Sequence, residues 1–138
     1  MAIQQGATDA FKTGLMNGGY NFTSGSFKMA LYTGSATLGP STAVYTSSNE
    51  VVATGYNAGG IALPVSVAPT SSNNITYISF SNVTWYGSIT ARGALIYQDG
   101  GSNPTVCVLD FGSDKTSITS LTVQFPTADS ANAIIRIT

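Results

Sequence analysis

The chain has 138 residues and a net charge of −1, and charged side chains occupy only 8% of its positions. An ordinary soluble domain carries about 25%; here Ser and Thr fill that space at 35 positions, while a 43% hydrophobic fraction still supplies a core for one domain. With no His, one Cys and five cations, the sequence excludes Ser-His-Asp and Cys-His catalysis, His-ligated metal, an internal disulfide and a phosphate-binding basic patch.

Residues 1–20 form a helical segment in this reading. Thr8 or Asp9 supplies an N-cap oxygen, Ala7, Ala10, Phe11, Gly14 and Leu15 share one stripe, and Asn17-Gly18-Gly19 ends the helix. Gly14 weakens it, costing about 1 kcal/mol against Ala in a helix interior. From residue 26 the pattern is strands. Phe27, Met29 and Leu31 alternate with Lys28, Ala30 and Tyr32. Ile61 to Val67 contains Pro64, which donates no ladder hydrogen bond and so marks an edge or a bulge. Ile78 and Phe80 are out of phase with Val83 and Trp85, so a bulge near Asn82 would turn both pairs inward. Asp99 to Pro104 is a turn joining Ile89–Tyr97 to Thr105–Phe111 as an antiparallel hairpin. Gly112-Ser113-Asp114 turns again, then Leu121, Val123 and Phe125 alternate and Ala133 to Ile137 closes the chain. Seven or eight short strands at this spacing predict an all-β fold, an antiparallel, jelly-roll-like β-sandwich with one short N-terminal helix. Met29, Leu31, Phe80, Leu95, Leu109 and Phe125 are the expected core between its sheets.

Residues 35–60 hold no clean strand. A loop longer than about 12–15 residues is uncommon in a compact domain and is usually functional. The expectation is an excursion that meets a partner, with Tyr45, Glu50, Tyr56 and Asn57 as its candidate interface residues, since Tyr is enriched where proteins meet.

The chemical motifs are weaker. Asp110-Phe111-Gly112 spells a kinase magnesium motif without the Gly-rich loop, strand lysine or catalytic loop that give it meaning. Asp114-Lys115-Thr116-Ser117 lacks the glycines of a phosphate-binding loop. Asp110 and Asp114 offer too few of the 6–8 oxygens that calcium takes. No two carboxylates are marked as a glycosidase pair. Three Asn-X-Thr triplets, at Asn21, Asn74 and Asn82, are expected by chance in so Thr-rich a chain. Arg92 and Arg136 sit in apolar strand patterns and are expected to pair with Asp110, Glu50 or Asp129. Cys107 reads as a small buried hydrophobe. Tyr45, Tyr56, Trp85 and Tyr86 are the aromatic residues available to stack on sugars. No apolar run approaches the roughly 20 residues that span a bilayer, and Met1–Gly6 lacks the basic and apolar stretches of a secretory signal. The expectation is therefore no catalytic residue, cofactor, metal, nucleic acid or membrane partner.

An ordered series of stretches carries a family resemblance: Phe27 to Thr33, Glu50-Val51, Gly55 to Gly60, Ile89 to Tyr97, Val108 to Lys115, and Ala133 to Ile137. Together they resemble a group of small virion structural proteins of tailed bacteriophages. The resemblance implies a non-enzymatic particle component. Its first placement is a capsid cement (decoration) protein on the outer surface of the head. There it would be a homo-oligomer, a trimer ahead of a dimer, bound to the major capsid protein. A tail or baseplate component is the alternative placement, and a carbohydrate-binding host-recognition module the alternative of a different class.

Overall fold

Phe27 to Tyr32 sets the architecture, because both faces of its alternation are apolar. Phe27, Met29 and Leu31 are buried on one side, Ala30 and Tyr32 on the other. A strand of that kind must lie inside a sheet covered on both faces. The computed structural model describes residues 2–137 and places this strand so. About 45% of the chain is strand, every pairing between strands is antiparallel among the described residues, and one short helix accompanies them.

In chain order the elements are β1 (Gly6–Ala7), α1 (Asp9–Asn17), β2 (Phe27–Tyr32), β3 (Ile61–Ala62), β4 (Val65–Ser72), β5 (Ile75–Phe80), β6 (Val83–Tyr86), β7 (Thr90–Gln98), β8 (Thr105–Thr116), β9 (Ser120–Val123) and β10 (Ile135–Ile137). The main sheet has the order β1-β8-β7-β2-β3; facing it are a three-stranded sheet, β10-β5-β4, and a β6-β9 pair. The principal core fills the space between. Met29, Leu31, Ala94, Ile96 and Cys107 come from the main sheet, Ile78 and Phe80 from β5, Val83 and Trp85 from β6. Phe11 of α1 and Phe22 close one end against Phe27 and Phe80 through stacked and edge-on rings.

The helix forms where the capping pattern places it. Thr8 caps it, accepting from the Phe11 N–H at 3.2 Å, and Gly18 ends it in the left-handed conformation. Gly14 has a packing reason: a methyl there would run into the Tyr20 ring, whose hydroxyl donates to the Thr105 carbonyl. Thr8 and Thr105 are fully buried and hydrogen-bonded to one another, which fixes the start of α1 to β8.

Some expected details shift. Pro64 splits Ile61–Val67 into β3 and β4, and each piece is an edge strand. At Ser81-Asn82 the chain leaves one small sheet for the other, so Ile78, Phe80, Val83 and Trp85 all point inward without a bulge within one ladder. Gly112-Ser113-Asp114 is no turn between strands; β8 continues through it as an irregular bulge opposite Ala91–Gly93. Of the six expected core residues, Leu109 and Phe125 are only half-buried. Leu95 is fully buried, but not between the two layers.

Leu95 belongs to a second core on the outer face of the main sheet, with Ala30, Tyr32, Tyr97 and Val108. Ala36 and Leu38 cover it, helped by Ile3 and Tyr45. Leu38 is held to the residues before β1: its carbonyl accepts from the Gln4 N–H, and its own N–H donates to the Ala2 carbonyl. The segment 35–60 is therefore strandless, as its sequence predicts, yet much of it lies on its own sheet.

Candidate functional site

Tyr45, Glu50 and Tyr56 converge, with Tyr97, on one buried carboxylate. Glu50 is 7% exposed and takes part in no ion pair among the described residues. Its Oε1 accepts the Tyr45 hydroxyl and its Oε2 the Tyr56 hydroxyl, each at 2.5 Å, while the Gly59 N–H donates to Oε2 at 2.7 Å. The Tyr56 oxygen also accepts from the Leu31 N–H, and the Tyr97 hydroxyl donates to the Gly59 carbonyl at 2.6 Å. The Tyr45 and Tyr97 rings stack, with centroids 4.9 Å apart. Nearby, the Tyr32 hydroxyl donates to the Thr46 carbonyl.

Burial, and then the Glu50 carboxylate, push the Tyr45 and Tyr56 hydroxyls far above the ordinary tyrosine value, so they remain donors. Tyr97 is pushed up to about 12, by burial first and then by the Asp99 and Glu50 charges. Both oxygens of this carboxylate accept from the chain's own donors. Its effect is mechanical: it ties residues 45, 56 and 59 to one point over β2 and β7.

Of the four expected interface residues, Tyr45, Glu50 and Tyr56 take part in this network of the chain's own fold, and only Asn57 is exposed. The signal that sequence reading lacked is pairing, since one Glu among four tyrosines shows no periodicity.

The outward side chains lie elsewhere. Val52 is 97% exposed, Ile118 86% and Tyr86 74%. Their backbones meet at one end of the sandwich. Gly87 donates its N–H to the Thr119 carbonyl, and Ser117 Oγ donates to the Gly87 carbonyl at 2.8 Å. Gly55 and Gly87 take positive φ values of 92° and 150° and approach so closely that a side chain on either would strike Tyr86 or Thr54 backbone. Each exposed residue is within two positions of this joint, so two loops and the end of β6 hold three apolar side chains out on one base.

Beside that end, Asn57, Thr84, Trp85 and Tyr86 line a cleft of about 200 Å³. The Trp85 indole nitrogen is the one buried side-chain polar atom without a partner among the described residues. At the other end, α1, β5 and β10 enclose an almost wholly apolar cleft of about 160 Å³.

Arg92, Asp110 and Arg136 bond within the fold. Arg92 Nε donates to Asp110 Oδ1 at 3.3 Å, and the Gly112 N–H donates to the same oxygen, which holds Asp110 below the ordinary carboxylate range. Arg136 donates to the Ser130 carbonyl beside Asp129. Burial pushes the Cys107 thiol up to about 12. No cluster of three or more His, Cys, Asp or Glu suited to a metal occurs among the described residues. No family model, no curated protein and no solved structure matches the chain.

Proposed function

We propose that the chain is a non-enzymatic structural protein of a tailed-phage particle, a cement protein on the outer surface of the head that binds the major capsid protein as a homo-oligomer. The observation that carries this reading is the exposed apolar end: Val52, Tyr86 and Ile118 stand out on interlocked backbone. Exposed apolar residues on a rigid base mark surfaces that assemble, because their ordering entropy is already spent in folding. A surface poor in charge favours the same use, since interface cores are depleted in Lys, Glu and Asp. The resemblance of the ordered stretches from Phe27 to Ile137 supplies the kind of assembly.

A cryo-EM map of purified particles tests the placement. Density for this sandwich at symmetry positions of the head supports it, density in the tail or baseplate transfers the chain to that alternative, and absence from the particle overturns both. Carbohydrate recognition is a second reading, favoured by the unpartnered Trp85 N–H beside exposed Tyr86 and Asn57. Glycan-array binding lost in Tyr86→Ala would establish it.

A further inference from the structure

A homodimer can be built from one self-complementary patch, whereas a trimer or any larger ring needs two different patches that fit each other. The chain carries such a pair. One member is convex: the end bearing Ile118 at the turn between β8 and β9, with Val52 and Tyr86 beside it. The other is concave, the apolar cleft where Phe11 and Leu15 of α1 face Tyr77 and Ile78 of β5 and Ile135 and Ile137 of β10.

They lie at opposite ends of β7. Thr90 pairs with Thr116, next to the Ile118 turn, while Gln98 donates to the Gly19 carbonyl just past α1. Nine strand residues separate the two, about 30 Å. A chain cannot therefore fill its own cleft with its own tip.

Sizes and polarity also agree. A dry apolar cavity of about 150 Å³ admits a benzene ring, so a cleft of about 160 Å³ admits one branched or aromatic side chain. No charged side chain lines the cleft, and none of the three tip residues is charged. Joining them desolvates no ion, the cost that most often opposes apolar contact. With a net charge of −1 per chain, copies repel one another little.

We propose that the occupant of the cleft is a second copy of this chain, Ile118 of one entering the α1–β5–β10 cleft of the next, head to tail. Repetition closes a ring where the rotation per step divides a full turn, three copies giving a trimer, and two copies close where each tip enters the other's cleft. The biological use of such a ring rests on the particle reading above; the contact itself does not.

Complementation between variants tests it. Ile118→Asp removes the tip, and Ile137→Asp, at a position 53% exposed, blocks the cleft without entering the core. Unchanged urea midpoints confirm that both still fold. In light scattering the parent chain should run as an oligomer, and each variant alone as a monomer, with self-association weakened at least tenfold. Mixed, the two variants should recover one interface and form a 1:1 dimer that grows no further. A monomeric parent overturns the proposal. So does an Ile137→Asp protein that still oligomerises, as a tip-to-tip dimer would, or a mixture that stays monomeric. Loss of the chain from purified particles with this complementation intact would reject the particle reading alone, and monomeric protein found on heads would reject the ring alone.

Discussion

Glu50 shows how a single residue can hold a loop in place without a salt bridge. Its carboxylate takes the Tyr45 and Tyr56 hydroxyls and the Gly59 N–H, so removing it strands three donors in a buried site. Glu50→Ala should cost about 2–4 kcal/mol, since each unsatisfied buried group costs about 1–3 kcal/mol and some regain water. Urea unfolding measures it, and a loss under 1 kcal/mol would mean the network contributes nothing net. The same tyrosines predict a pH limit. Their folded values lie above the ordinary 10.0, so the folded chain keeps protons that the unfolded chain releases. Stability from this source is fully present below pH 10 and is lost as pH rises through about 12, where Tyr97 titrates. The tyrosinate absorbance of Tyr45, Tyr56 and Tyr97 should therefore rise together with unfolding rather than before it. Cys107, buried and raised to about 12, should react with a thiol reagent only at the rate of global opening.

Among the elements, α1 depends most on a single contact. Thr8 caps it and is also bonded to Thr105, which in turn donates to the Thr42 carbonyl. Thr8→Ala removes a cap and breaks a buried network, an expected cost of about 2–3 kcal/mol against about 1 kcal/mol for an ordinary cap. A far-ultraviolet spectrum that loses its helical part while the strands persist would place the damage in α1. The segment 35–60 behaves differently. Gly60 adopts φ 85°, and a methyl there would collide with the Met29 carbonyl of β2. Gly60→Ala should destabilise by more than the 1–2 kcal/mol that a left-handed L-residue costs, because backbone must move as well.

At the scale of the molecule, the sandwich has two cores and not one. Leu95 is wholly enclosed beneath Ala36 and Leu38, while Leu109 is half-buried at the edge of the principal core. Leu95→Ala should then cost about 2–5 kcal/mol through lost transfer energy and a cavity, and Leu109→Ala clearly less. Equal urea midpoints for the two would contradict the covered outer face. Proteolysis gives a second check, for a segment held by its own core should resist cleavage at 35–60 until the whole domain unfolds.

Local patterning determined a good deal by itself. The capped helix at Thr8, the Asp99–Pro104 hairpin, the edge character imposed by Pro64 and the inward sets of β2 and β5 follow from backbone chemistry and period-two alternation, which act within a few residues. The pairing of Arg92 with Asp110 also follows, because a charge among apolar neighbours needs a partner. What only the tertiary structure decided is where residues 35–60 go. Their composition is that of a loop, and loops with exposed Tyr read as interfaces. Yet the apolar outer face of the main sheet needed a cover, and Ala36, Leu38, Tyr45 and the Glu50 cluster supplied it over Leu95, Tyr97 and Val108, which are distant in sequence. The outward residues Val52 and Ile118 gave no signal for the converse reason. Each is one apolar residue in a separate loop, and they join Tyr86, at the end of β6, as a common end only when the chain folds.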